Sequence, residues 1–158
     1  MSNDGSFTLD FTDFDKKFLE YAVKTAPAAA EKGMFEALAA LKNDCDNLAP
    51  RTPHLHGDLR GDFTFILQGI TQSKVEDHGS KGGGGGAPAE RFGADSIIAQ
   101  LIFRMPYAAK WHEAVDRIVH WSEQGVGPKY CESKMASFFM KYIGLVAKRI
   151  QEAGGPGA

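Results

Sequence analysis

The chain has 158 residues, 43% hydrophobic and 24% charged, the proportions of a soluble globular domain with room for one core. Its net charge of −2 and pI near 6.2 give no overall drive toward nucleic acid or anionic membrane, and no apolar run approaches the length of a bilayer span. Two cysteines, Cys45 and Cys131, lie far apart and outside any CxxC pattern, which excludes a zinc knuckle or redox dithiol and predicts two reduced thiols in packed or half-packed positions.

The single domain expected over 1–158 opens on "SFTLDF", where Phe7, Leu9 and Phe11 alternate with polar residues. That period of two suits a short strand or an extended arm over residues 1–12. The start lacks a basic head and an apolar run, so a secretory signal is not expected. Thr12 followed by Asp15 resembles a capping box, after which Phe14, Phe18, Tyr21 and Thr25 recur at helical spacing. The pattern resumes past Pro27 with Phe35, Leu38, Leu41, Cys45 and Leu48, so Pro27 should kink this long helix or mark a fresh start. "RTPHLHGDLRGD" reads as an irregular turn, and "DFTFILQGI" as a strand after it.

Residues 71–93 contain five consecutive glycines and are expected as a flexible hairpin loop. Their "GSKGGGGG" fails as a phosphate loop, because no Ser or Thr follows Lys81 and no helix starts there. "DSIIAQLIFRMPYAAKW" reads as a second, longer strand. A final helix begins at "GPKY", with Pro128 suited to its first turn. One apolar row on it is Met135, Phe139, Ile143, Val146 and Ile150, and Phe138, Tyr142 and Leu145 form a second beside it. So wide a face either meets another chain or is sunk between the sheet and the first helix. Lys134, Lys141 and Lys148 make a basic row, in most proteins a solvated face rather than a DNA contact. Residues 153–158 are expected as a disordered tail. The fold class is therefore α+β: a long N-terminal helix and a C-terminal helix on a small antiparallel sheet with a Gly-rich hairpin loop.

One stretch raises an enzymatic reading. Wound as a helix, "WHEAVDRIVHW" stacks His112, Asp116 and His120 on one face, with Glu113 as a base, the outline of a metal-dependent hydrolase. Against it, Val115, Ile118, Val119 and Trp121 would line most sides of such a helix, and strand-like alternation runs from Ser96 toward Tyr107. No serine sits in a nucleophile elbow and neither cysteine neighbours a histidine. The favoured expectation is that the chain is not an enzyme and needs no cofactor or metal.

Three motifs in order carry a resemblance: a long first helix running into "AP" with a turn ending "GDLR", a strand ending "YAAKWHE", and a helix start "GPKYCE". Together, over roughly residues 13–152, they resemble the neck and tail-completion proteins of long-tailed bacteriophages, the minor tail protein Z-like group. Thr52 and Gly57 are separated by "PHLH" where that group has an adjacent Thr-Gly pair, Asp62 stands where Ser is usual, and Cys131 replaces Leu.

The resemblance implies a virion structural protein at the head–tail junction, made in the host cytoplasm, which forms a homo-oligomeric ring of six copies. It would complete the tail and join it to the head, with tail tube and connector proteins as partners and passive contact with phage DNA. A minor capsid or connector component is the nearest alternative. The residues expected at subunit interfaces are Tyr107, Trp111, His112, Glu113, Lys129, Tyr130 and Arg60. On this reading Gly57 permits a positive φ at the turn, so that Leu59 enters the core while Arg60 points outward. Net charge is −4 over residues 1–50, −1 over 51–128 and +3 over 129–158, which suits head-to-tail contact between copies.

Overall fold

The computed structural model describes residues 12–53, 58–79, 96–116, 119–121 and 123–154. Helix α1 (Thr12–Glu20) starts at the predicted Thr12. Pro27 has no N–H to offer the carbonyl one turn back. The chain answers with a wide π turn over Tyr21–Thr25, in which the Ala26 N–H reaches Tyr21 O, and α2 (Ala26–Asn47) follows directly. The fresh start at Pro27 is thus a change of winding without a break. Beyond Asn47 the chain turns through a cis Ala49–Pro50 bond into a one-turn helix, α3 (Asp58–Gly61).

The sheet has the order β2-β1-β3, antiparallel throughout, with β1 (Phe63–Gln68) central, β2 (Ser73–His78) and β3 (Ile98–Phe103). Phe65 stands opposite Glu76 and Leu101. Ser73–His78 fall inside the span expected as a loop, a correction: Thr64 of β1 donates to Asp77 at 2.6 Å, and Lys74 and Glu76 pair along the same face of β2, so the strand is held by pairing with β1 and polar contacts where apolar alternation gave no signal. The glycine run itself, residues 1–11 of the arm expected over 1–12 and residues 155–158 of the tail expected over 153–158 lie outside the described residues, while Thr12 belongs to α1 and Ala153 and Gly154 form a turn after the last helix.

The second strand is shorter than expected. It stops at Phe103, and a turn through Pro106 leads into α4 (Ala108–His112) and a 3-10 turn (Ala114–Asp116). Arg104 ends it by donating from Nε to Asp62 at 2.6 Å and to the carbonyls of His78 and Gly79, tying three loop ends together.

The last helix, α5 (Tyr130–Glu152), starts after Pro128 rather than on it, and Phe138 within it departs from helical geometry. It lies against α2, and the core forms between them from Ala37, Leu41, Cys45 and Tyr142, with Leu101 of β3 against it. At Gly33 the two helices approach so closely that a Cβ would lie 2.6 Å from Val146 Cα. Each fully buried leucine here stabilises by about 1.5–3 kcal/mol. The Cys45 and Cys131 sulfurs meet at 3.4 Å across this interface as free thiols, and their mutual contact, then burial, pushes the Cys131 thiol far up.

Candidate interaction surface

The predicted interface residues gather at the joint between α4 and α5, and most of them are engaged within the chain. Lys129 precedes α5 in the left-handed region (φ 56), and its N–H donates to His112 O at 2.8 Å. Its ammonium lies 2.5 Å from Glu113 and 2.9 Å from Glu132, while Glu113 also meets His112 Nδ1 at 2.7 Å. Lys129 and then His112 hold the Glu113 carboxyl below the usual range, and Glu113 and then Glu132 raise Lys129. The ring of Tyr130 is only 1% exposed, edge-on to Phe103 and His112, with its hydroxyl donating to Ala108 O at 3.3 Å. Burial pushes that phenol well up. Tyr130 is therefore a core anchor rather than an interface residue, because its aromatic face is spent locking α4 against α5.

Arg60 was expected to point outward. Its Nε instead donates to Thr52 O at 2.7 Å and its terminal nitrogen to Glu123 at 3.0 Å, so it clamps the loop before α5 to the turn after α2. Leu59 enters the core as expected, fully buried. Trp111 packs edge-on to Trp121, with Lys110 over its ring, and stays half-exposed beside the half-buried Tyr107. Of the predicted set, Glu113 is the exposed member, with 58% of its side chain open, and Trp111 and Tyr107 are half-buried.

The metal array does not form as drawn. Helix α4 ends at His112, Asp116 sits in the separate 3-10 turn and His120 in extended chain, so the i, i+4, i+8 spacing never stands on one helix. Among the described residues no group of three His, Cys, Asp or Glu side chains gathers as a metal site.

The basic row is also redistributed. Lys134 is buried and donates to Pro50 O at 3.0 Å, and desolvation lowers its pKa. Lys141 stays exposed while it pairs with Asp44 at 2.6 Å, and Lys148, also exposed, meets Glu152 at 3.8 Å. The acidic first helix and basic last helix complement each other inside one chain, through Asp44–Lys141 and Glu36–Arg149 at 2.7 Å.

What sequence patterning left undecided is the wide apolar face of α5. Tyr142 is buried, but Met135, Phe139 and Ile143 are 41%, 51% and 41% exposed, and Met140 lies open beside them. The first three line an apolar groove of about 350 Å³ with Leu38 of α2 and with Ala99 and Leu101 of β3. The groove runs along β3, which has β1 on one side and no strand among the described residues on the other. Such a surface has the chemistry of docking: an apolar trough walled by two helices and a strand.

No family model, curated protein or solved structure matches the chain. Among the described residues no helix is long and apolar enough to cross a membrane.

Proposed function

We propose that this chain is a structural protein of the phage head–tail junction, which associates with copies of itself into a ring that completes the tail or joins it to the connector. The observation that carries the reading is the exposed apolar face of α5 beside the edge of β3. A domain this size gains by burying such a face, and another protein chain is the surface best able to cover it. The motifs behind the resemblance support it in part. "GDLR" supplies a core leucine and a clamp, and "GPKY" locks α4 to α5, so both act as framework.

The ring of six, the tail tube and connector neighbours and the virion location belong to this proposal, with a minor capsid or connector place as its nearest variant. Lys134 is buried on Pro50 O and Lys141 is paired with Asp44, so the row offers DNA fewer free charges than its spacing suggests. The metal-hydrolase alternative has lost its geometric premise. A stoichiometric metal in the purified chain, lost on His112→Ala, would restore it.

Electron microscopy of lysates from a phage with this gene blocked tests the reading. Filled heads lying apart from tails, or tails of abnormal length, support it. Complete, joined virions overturn it.

A further inference from the structure

Helix α5 is fixed to α2 differently along its two halves. Beyond Phe138, whose φ of −123° and ψ of 18° interrupt the helical run, Lys141 and Tyr142 hold Asp44, Val146 lies close against Gly33, and Arg149 grips Glu36. Before Phe138, Lys134 reaches Pro50 O, which lies past the end of α2. Cys131 faces α2 itself from this first stretch, with its sulfur 3.4 Å from that of Cys45.

Both thiols are free, and they stand 86 positions apart in the chain. Bonded sulfurs lie about 2.0 Å apart, so the pair has about 1.4 Å to close. The non-helical step at Phe138 uncouples the start of α5 from the rest of its axis, so a side-chain rotation with a small shift of that stretch covers the distance.

The two sulfurs differ in access. Cys45 is fully buried. Cys131 is half-buried and lines the apolar groove of about 350 Å³, alongside Leu41 and Met135. A small uncharged oxidant can enter such an opening, whereas a charged one such as glutathione disulfide would have to leave its hydration behind. Cys131 is therefore the sulfur oxidised first. Cys45 is the sulfur that resolves it, since the chain has no third cysteine.

We infer that Cys45 and Cys131 form a modification site, at which a hydroperoxide converts the two thiols into a disulfide that locks the start of α5 to α2. The bond goes beyond the junction reading and does not depend on it. In the first step the Cys131 sulfur loses its proton and attacks the terminal peroxide oxygen. The O–O bond breaks, and the leaving oxygen takes up a proton as water or an alcohol. The Cys45 sulfur then attacks the sulfenic acid, the S–O bond breaks, and the departing hydroxide leaves as water with the Cys45 proton. Two thiols are oxidised by two electrons in all, and one hydroperoxide is reduced.

Contact with Cys45, then burial, keeps the Cys131 thiol protonated, so the first step is slow and suits a change made once rather than rapid sensing. In a cytoplasm buffered by glutathione the pair stays reduced.

The full chain is reduced, freed of reductant, exposed to hydrogen peroxide, alkylated, and read by intact mass and peptide mapping. The expected product is a single chain that has lost two hydrogens and takes no alkyl group, with the Cys45 and Cys131 peptides joined. Its thermal midpoint should stand about 5–15 °C above that of the reduced chain, because the bond closes a long loop, and should fall back with dithiothreitol. In the variant Cys45→Ala, Cys131 should stop at the sulfenic acid and be captured by dimedone. A sulfinic acid on Cys131 beside an alkylated Cys45, a bond between two chains, or two thiols still alkylated after prolonged exposure overturns the modification site. Absence of the dimedone adduct overturns Cys131 as the point of attack. A disulfide that leaves the midpoint unmoved, or lowers it, overturns the lock.

Discussion

Tyr130 shows how a single side chain changes role once its surroundings are known. Buried against Phe103 and His112, it holds the start of α5 to α4. Tyr130→Ala should cost about 3–5 kcal/mol in a urea titration, as large aromatic truncations do. Tyr130→Phe should cost about 1 kcal/mol for the hydrogen bond to Ala108 O. An alanine variant of parental stability would return Tyr130 to the interface set. Next to it, Lys129 sits at φ 56, where a Cβ is strained by about 1 kcal/mol or more. Its ion pairs with Glu113 and Glu132 lie at the surface, where solvent screening leaves them a small contribution. Lys129→Gly should therefore be close to neutral in the same titration, and Lys129→Ala destabilising, since it keeps the strain and loses the pairs. The reverse order would show that the backbone there is unstrained.

At the scale of elements, the α2–α5 pair organises the molecule, and Gly33 sets its spacing. A Cβ at that position would meet Val146 Cα and Leu145 O, both backbone, so neither can swing aside. Gly33→Ala should destabilise by about 1–3 kcal/mol despite the better helix propensity of alanine, and calorimetry would show it as a lowered Tm. A raised Tm would mean that the helices separate freely.

Both long helices were legible, because their apolar positions recur at helical spacing and Pro27 and Pro128 punctuate them. Strand β2 was not, since Ser73–His78 gains its place from pairing with β1 and not from apolar alternation. Strand β3 was overextended, because "RMPYAA" continues an apolar run that Pro106 turns into α4. The interface set was legible as a cluster. The burial of Tyr130 and the clamp made by Arg60 were not, since both find partners distant in sequence.

For the whole molecule, the acidic-to-basic asymmetry along the chain becomes cohesion within one copy. Arg149 grips Glu36 with two nitrogens and holds its carboxyl below the usual 4.5. Glu113 is lowered likewise, by Lys129 and His112. A carboxylate lowered on folding contributes stability that is complete above its unfolded value and lost as pH falls through the folded one. Thermal midpoints should therefore hold steady toward neutral pH and fall as pH drops below 4.5. The double variant Glu36→Gln, Glu113→Gln should show a lower plateau and a flatter acid limb. An acid limb identical to the parent's would place the acid sensitivity elsewhere.

The sequence by itself determined the fold class, the two long helices, the central strand β1 and the burial of Leu59, because each follows from local periodicity or turn chemistry. Tertiary structure alone decided which polar groups go inside. Glu31 accepts from Thr71, Lys134 from α5 reaches Pro50, and Asp44 takes Lys141 and the Tyr142 hydroxyl, every partner far away along the chain. It also decided which apolar side chains stay outside. A helix face carries the same pattern whether its cover belongs to this chain or to another, and here the three strands among the described residues leave part of the apolar face of α5 exposed.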